Sequence, residues 1–277
     1  MTLPRHNLYK YVEEVLTRNP IVSLIGPRQC GKTTLARAIG KLQQTTFFDL
    51  EHPVDAEHLK QPLTALEHLQ GLVVIDEAQL QPSLFPVLRV LADRTSLPAR
   101  FLLLGSASPD LVGNISESLA GRVHFVNMSG FNLNEVGKEN WRTLWHIGGF
   151  PRSFLANTDK ESFEWRENFI ATFLERDLRR LGVMIAPESL RRLWMMIAHY
   201  HGQVANLSDI GRSLGESHTT IRRHLDVLEG ALVLRQLQPW HENIGIRVAI
   251  AFFSRIMALT TNFSMSFWIS MPTLTLT

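Results

Sequence analysis

The sequence predicts an α/β fold, in which a parallel sheet lies between two layers of helices, followed by a smaller and mostly helical domain. Three observations support this prediction. Short apolar runs alternate with helix-forming segments in the first part of the chain. A glycine-rich loop connects the first apolar run to the next helix. From Pro187 onward the pattern changes to short helices that end at glycines.

The glycine-rich loop, residues 26–33, fits the phosphate-loop pattern G-x-x-x-x-G-K-[ST] at every fixed position. A strand-like run precedes it at 21–25, and a helix-forming stretch follows at 32–42. Its glycines let backbone N–H groups turn toward one anion, and the helix N-terminus adds partial positive charge. We expect Lys32 to contact the β- and γ-phosphates of ATP and the Thr33 hydroxyl to bind Mg²⁺. The alternative is a glycine turn with a chance lysine.

The predicted nucleotide-binding residues are the loop and the residue after it: Gly26, Pro27, Arg28, Gln29, Cys30, Gly31, Lys32, Thr33 and Thr34. Cys30 is the only cysteine, which excludes an internal disulfide and a cysteine-based zinc site. It occupies a variable position of the pattern. We therefore favour an inert side chain over a thiol whose oxidation controls nucleotide binding.

A second apolar run, at 72–75, ends in the carboxylates Asp76 and Glu77. The carboxyl ends of parallel strands face one crevice, so these side chains are expected opposite the phosphate loop. Asp76 would support Mg²⁺, and Glu77 would orient and deprotonate the attacking water. A strand that runs into an acidic helix cap is the alternative, which the upstream phosphate loop disfavours.

Two further residues are candidates for the catalytic site. Ser106 follows the apolar run 101–104, where its hydroxyl can contact the γ-phosphate or the attacking water, although serine is also a common helix cap. Arg122 precedes the predicted strand 123–126, where it is a candidate arginine finger or a cation at a helix C-terminus. An arginine finger that acts in trans would require a homo-oligomer.

The overall composition is that of an ordinary globular protein. The chain has 277 residues, of which 45% are hydrophobic and 19% charged, and its formal net charge is +2. This balance does not demand a nucleic-acid partner, although it leaves room for a local basic patch. The first ten residues lack the apolar core of a secretory signal, so a cytoplasmic location is expected.

The helices after Pro187 are predicted at 187–200, 208–214 and 217–229, with a strand at 232–237. This order is typical of a winged helix-turn-helix. The exposed face of its third helix would present two hydroxyls and two arginines to DNA: Thr219, Thr220, Arg222 and Arg223. Asp226 and Glu229 dilute that charge, so DNA contact and a packing role stay equally open.

A helical linker is predicted between the two domains. It contains a turn with aromatic residues at 141–155 and a long helix at 162–181. The charges near the end of that helix, at 175–180, most often indicate a solvated face rather than a partner contact.

On these residues the chain resembles a prokaryotic AAA-type ATPase family whose members combine a P-loop domain, a winged helix and a C-terminal nuclease-like domain. The matching stretches are 26–33, 73–79, 84–93, 101–108, 116–122, 145–151, 173–177 and 190–243. The resemblance implies an AAA-like, additional-strand P-loop NTPase core, in which the strand at Phe101 lies between those at Ile21 and Val73. It also implies ATP and Mg²⁺.

The resemblance stops near Gly245. No acidic residue follows Glu242, and no charged residue occurs at 256–277. We expect a truncated or out-of-frame tail without the nuclease-like domain. A membrane segment is disfavoured, because Pro272 and many Ser and Thr residues interrupt the apolar character.

The sequence therefore predicts an AAA-like ATPase domain at 1–130, a helical linker or lid at 131–184, a winged helix at 185–240 and an aberrant tail at 241–277. The expected function is ATP binding and hydrolysis coupled to the winged helix. The rival hypotheses are a DNA-binding nucleotide switch with negligible turnover and an inactive truncated copy.

Overall fold

The protein is represented by a computed structural model that describes residues 3–106, 109–180, 184–200, 203–237 and 247–252. Its centre is a five-stranded parallel sheet with the order β2-β3-β4-β1-β5. The strands are β1 (Ile21–Gly26), β2 (Thr45–Asp49), β3 (Gly71–Asp76), β4 (Ala99–Ser106) and β5 (Val123–Asn127). β4 lies between β1 and β3, which confirms the additional-strand order.

Helices cover both faces of this sheet, as the α/β prediction requires. They are α1 (His6–Arg18), α2 (Lys32–Gly40), α3 (Pro53–His58), α4 (Pro62–Leu66), α5 (Leu84–Ala92) and α6 (Pro109–Ser118). A short 3₁₀ turn, Ala78–Leu80, follows β3. The predicted three-layer fold is thus confirmed.

The core divides into two layers because neighbouring strand residues point to opposite faces. In β4, Leu102 and Leu104 pack with α1 and α2, whereas Phe101 and Leu103 pack with α5 and α6. Full burial of such a side chain stabilises the fold by about 1.5–3 kcal/mol. A strand that is buried on both faces reads as a continuous apolar run, which is why the sequence revealed it.

The linker is a series of short helices: α7 (Leu133–Val136), α8 (Trp141–Ile147), α9 (Pro151–Phe154), α10 (Asp159–Thr172) and α11 (Leu178–Arg180). A 3₁₀ turn at Lys138–Asn140 precedes α8, and a π-helical segment, Phe173–Asp177, separates α10 from α11. At the start of the predicted linker, Phe131 N donates to Gly149 O, in the turn after α8, at 2.6 Å. A Cβ at position 149 would lie 2.2 Å from Phe131 O, so this junction needs glycine.

The C-terminal module consists of α12 (Pro187–His199), β6 (Gln203–Asn206), α13 (Leu207–Leu214), α14 (His218–Gly230), β7 (Leu234–Leu237) and β8 (Arg247–Phe252). Its strands form an antiparallel sheet with the order β6-β8-β7. Only β7 was predicted from the sequence.

β8 corrects the boundary predicted at residue 240. This strand lies inside the predicted tail, 241–277, yet it pairs with both β6 and β7 as the middle strand. Its apolar run was assigned to the tail because the family resemblance stops near Gly245, and its partner strands β6 and β7 are not adjacent to it in sequence. The uncharged stretch 256–277 lies outside the described residues.

Within the described ranges, no helix has the length and apolar character that crossing a bilayer requires.

Candidate functional site

The phosphate-loop pattern forms a tight turn between β1 and α2. A Cβ at Gly26 would lie 2.2 Å from the backbone oxygen of Met128, so a larger residue does not fit there. Gly31 has φ of 100°, a conformation that glycine adopts at little cost. Gln29, with φ of 61°, also takes the left-handed conformation. The loop thus combines a close backbone approach with two left-handed residues.

Lys32 points into this turn. Its side chain is buried, and Nζ donates to the backbone oxygens of Gly26 and Pro27 at 2.9 and 3.0 Å. Across the part of the chain that the structure describes, no carboxylate forms a salt bridge with this ammonium, and no side chain caps the N-terminus of α2. A buried cation beside free N–H groups is a site that suits an anion.

Thr33 connects the loop to the carboxyl end of β3. Its hydroxyl donates to Asp76 Oδ2 at 2.6 Å. Burial raises the pKa of Asp76 above that of an ordinary aspartate, while hydrogen bonds from Thr33 and from the N–H of Glu77 lower it in part. Asp49, which lies beside Asp76 in the sheet, raises it further. The buried Asp76 and the partly buried Asp49 lie where a cation would offset their mutual repulsion.

Glu77 follows Asp76 in a left-handed conformation, with φ of 54°. This turn directs the side chain back toward the loop, and its carboxylate accepts a hydrogen bond from Gln79 Nε2. Burial raises the pKa of Glu77, although Gln79, Lys32 and Arg28 oppose that effect. A carboxylate whose pKa is raised is a better proton acceptor.

Arg28 lies between three carboxylates. It donates to Asp177 at 2.5 Å and to Glu51 at 2.8 Å, and it stands 3.9 Å from Glu77. Burial disfavours its charged form, but these three acids outweigh burial and raise the pKa of Arg28. The expectation of a solvated face at 175–180 fits the exposed Glu175 and Arg176 but not Asp177, which is buried.

Ser106 ends β4 directly beside Gly26 of β1. Its side chain is buried, and Oγ has no hydrogen-bond partner among the described residues. An unpaired buried hydroxyl costs about 1–3 kcal/mol. This hydroxyl is therefore available to a group that enters the crevice.

The structure does not bring Arg122 to this crevice. It precedes β5, whose first residue, Val123, is paired with Ile21 at the opposite end of β1 from the loop. Six strand residues place these ends about 20 Å apart. Arg122 instead pairs with the exposed Asp93 through contacts of 2.6 and 2.8 Å. Within one chain, Arg122 is remote from Lys32 and Glu77.

An apolar cavity of about 880 Å³ opens beside the loop, at the start of α2. Its walls come from the N-terminal segment, α2 and α9, and they include Arg5, Tyr9, Gly31, Thr34, Leu35, Phe131, Pro151 and Arg152. Arg5 is fixed there by a salt bridge of 2.6 Å to Glu135. A cavity of this size and character can accommodate a nucleobase.

Comparison with known proteins places this site in a family context. Residues 18–137 match the AAA domain family. The fold is that of an AAA-type P-loop NTPase. Residues 138–258 match a domain of unknown function (DUF8612), which covers the linker and the C-terminal module as far as β8.

Two relatives are uncharacterized proteins of Mycobacterium tuberculosis and Mycobacterium bovis. Each is 53% identical over 247 residues, which is 89% of this chain and 56% of the relative. The chain thus spans little more than half the length of these relatives. A Walker-type ATPase of Pyrococcus abyssi has a similar structure, with a TM-score of 0.65, 16% identity and coverage of 94% of this chain and 95% of that one. At this identity the likeness shows the fold.

Sequence reasoning did not identify the cavity beside the phosphate loop. Tyr9 and Arg152 line it from helices on either side, and neither belongs to a motif. A signal for Arg152 was present, because it follows the Gly-Gly-Phe-Pro turn at 148–151 that marked the junction. Cys30 is fully buried and its burial raises the pKa of the thiol, which favours an inert side chain.

The residues present fit a magnesium nucleotide. The unpaired Ser106 hydroxyl and the Lys32 ammonium are donors for phosphate oxygens. The Thr33 hydroxyl and Asp76 carboxylate are oxygen ligands of the type that Mg²⁺ prefers. The crevice therefore combines donors for an anion with acceptors for a hard cation.

Proposed function

We propose that the protein is an ATPase that converts ATP and water to ADP and phosphate. The observation that supports this most strongly is the hydrogen bond of 2.6 Å between Thr33 and Asp76. It joins the phosphate loop to the acidic end of β3 across one crevice, with Lys32 on one side and Glu77 on the other. A glycine turn with a chance lysine has no reason to face buried carboxylates in this way.

In this proposal, the backbone of residues 26–34 and the side chain of Lys32 hold the phosphates. Lys32 exchanges its bonds to two backbone oxygens for bonds to the β- and γ-phosphates, and the N–H groups at the start of α2 add to them. Thr33 and Asp76 hold the metal, Asp76 through a water. Bound Mg²⁺ supplies positive charge that offsets the phosphate oxygens.

Glu77 acts as the general base for the attacking water. Its conformation and raised pKa support that role, since a base with a pKa nearer neutrality accepts a proton more readily. Ser106 acts as the γ-phosphate sensor, because its buried hydroxyl gains the partner that it lacks among the described residues. The base of ATP occupies the apolar cavity, where Arg152 can approach the phosphates from α9.

Arg122 acts in trans. Its distance from the phosphate loop within one chain excludes a direct role in cis, whereas its exposed position at the opposite edge of the sheet is accessible to a second subunit. This role requires a homo-oligomer in which one subunit's Arg122 replaces its contact with Asp93 by a contact with a neighbour's γ-phosphate.

Steady-state phosphate release tests the ATPase function. Lys32→Ala should abolish turnover and weaken ATP binding in calorimetry, because it removes the buried ammonium. Lys10→Ala, which removes an exposed lysine of α1, is the matched control and should behave as the wild type. Equal turnover in wild type and Lys32→Ala, or no heat on mixing with Mg²⁺ and ATP, would refute the proposal. Turnover in the wild type would exclude the inactive-copy hypothesis.

We further propose that the C-terminal module is a winged helix that contacts DNA, with the nucleotide state controlling its placement. Arg222, Arg223 and Thr219 are exposed on α14, and Ser217 caps this helix. The acids that dilute this charge are partly engaged, because Gln236 of β7 donates to both Asp226 and Glu229.

A binding assay separates this function from the rival hypotheses. Arg222→Ala with Arg223→Ala should weaken binding to duplex DNA and reduce its salt dependence, because two phosphate contacts are lost. Arg212→Ala, at an exposed site on α13, is the control. DNA binding without measurable turnover would favour a nucleotide switch. If DNA does not change the rate of ATP turnover and the protein does not bind DNA at low salt, the module is a packing element.

A further inference from the structure

Arg28 is the contact through which the phosphate loop reaches the C-terminal half of the chain. Nη1 donates to Asp177 Oδ1 at 2.5 Å, across 149 positions of sequence. Nη2 donates to Glu51 at 2.8 Å and stands 3.9 Å from Oε1 of Glu77. The Asp177 side chain is only 4% exposed, whereas that of Glu51 is 44% exposed. The buried contact to Asp177 is therefore the stronger of the two hydrogen bonds.

Asp177 lies in a segment that packs against the C-terminal module. It is the last residue of the π-helical segment, in which Phe173 packs its ring 6.0 Å from that of Trp194 in α12. Phe173 and Leu174 are buried in the same core as α12 and α14. Single-turn π segments are rare, and they are frequently found at functional sites. A displacement of α12 would carry Asp177 away from the loop.

Asp177 and Glu77 compete for one guanidinium. At 3.9 Å, Arg28 is beyond hydrogen-bond distance of Glu77. The donors of a guanidinium form a rigid planar fork, so the bond to Asp177 also fixes where Nη2 points. When Asp177 is withdrawn, Glu77 is the least exposed carboxylate left beside Arg28, with 16% of its side chain exposed. Arg28 would then close on Glu77 and occupy the oxygens that a water needs.

Resting on the proposed ATPase function, we propose that Arg28 and Asp177 are positioning residues through which the C-terminal module controls hydrolysis. While the π segment is seated, Asp177 withholds the guanidinium from Glu77 and the base is free. When the module moves, Arg28 pairs with Glu77 and turnover stops. The contact thus links the placement of the module to the access of water to Glu77.

Steady-state kinetics of the full chain test this inference. Asp177→Asn should lower kcat by about tenfold or more while KM stays within about twofold, because a base and not a phosphate contact is lost. Adding Arg28→Ala to Asp177→Asn should restore most of kcat, which a purely structural role of Asp177 does not predict. Arg176→Ala is the control, since Arg176 contacts the same oxygen at 3.2 Å but is 56% exposed. An unchanged kcat in Asp177→Asn, or a double variant as slow as the single one, would overturn the inference.

Asp177→Glu is a second variant that serves if Asp177→Asn does not fold. It keeps a carboxylate for Arg28, so kcat should stay within about threefold of the wild-type value. A loss of kcat of about tenfold or more in a folded Asp177→Glu would contradict the model.

A nucleotide-free measurement completes the design. The unfolding midpoints of wild type, Arg28→Ala, Asp177→Asn and the double variant form a double-mutant cycle. The two changes should be non-additive, and additive midpoints would overturn the proposed contact. A wild type no faster than Lys32→Ala refutes the ATPase function and this inference together. If the wild type turns over normally but Arg28→Ala does not restore the kcat of Asp177→Asn, the inference alone is refuted.

Discussion

Replacing Glu77 by glutamine tests the catalytic site most directly. The substitution keeps the size of the side chain and an oxygen that accepts the hydrogen bond from Gln79, but it removes the base. ATP binding should be retained, because Lys32, Thr33 and the N-terminus of α2 hold the phosphates in our proposal. Turnover should fall.

The magnitude follows from the environment of the side chain. A positioned general base contributes about 10²- to 10⁴-fold. Glu77 is partly exposed, at 16%, and Arg28 at 3.9 Å reduces its basicity, so the lower half of this range applies. We expect kcat to fall by about 10²- to 10³-fold, which corresponds to about 2.7–4.1 kcal/mol in the activation free energy.

The assay combines phosphate release with calorimetric ATP binding. In the wild type, activity should be lost as pH falls through the raised pKa of Glu77, because only the ionised carboxylate accepts the proton. In Glu77→Gln the residual activity should lack this limb. Undiminished hydrolysis in the variant, or loss of ATP binding together with turnover, would refute the role assigned to Glu77.

Three further substitutions probe the rest of the site. Ser106→Ala should lower kcat more than it lowers ATP affinity. It should not destabilise the nucleotide-free protein, because the buried hydroxyl has no partner among the described residues. A large drop in the unfolding midpoint would contradict this expectation. Gly26→Ala places a Cβ 2.2 Å from the backbone oxygen of Met128. It should lower the free energy of unfolding by about 1–3 kcal/mol, as measured with denaturant, and it should also weaken ATP binding. A stable variant that binds ATP normally would argue against the tight turn. Arg122→Ala should be inactive alone but regain turnover when mixed with Glu77→Gln, which supplies the arginine in trans; a mixture no faster than the sum of its parts would exclude that role.

The sequence was most informative where the function depends on consecutive residues. The phosphate loop occupies eight consecutive positions, and Asp76 and Glu77 end a strand that is buried on both faces and so reads as an apolar run. The parallel topology then brings both elements to one edge of the sheet. The predicted Lys32, Thr33, Asp76 and Glu77 meet there for that reason.

Features that depend on distant pairs were not predictable in this way. Arg28 and Asp177 are 149 positions apart, and nothing near either residue indicates the other. The charges at 175–180 were interpreted as a solvated face because runs of charge usually lie in solvent, whereas Asp177, at the end of the π segment, is buried. β8 and the cavity beside α2 likewise arise from segments that meet only in the folded chain.

The burial of Asp76 should also lower the stability of the nucleotide-free protein at neutral pH. The pKa of Asp76 is raised in the folded protein, mainly by burial, so the folded state binds its proton more tightly than the unfolded state. The sign follows from proton linkage: this contribution to stability is fully present below the unfolded pKa, near 4, and is lost as pH rises through the folded pKa. Asp76→Asn should therefore be more stable than the wild type at neutral pH, as measured by denaturant unfolding. The difference should shrink toward zero as pH approaches about 4. A variant that is less stable at neutral pH would mean that the bonds from Thr33 and Glu77 N outweigh burial, and the crevice would then have no need of a cation.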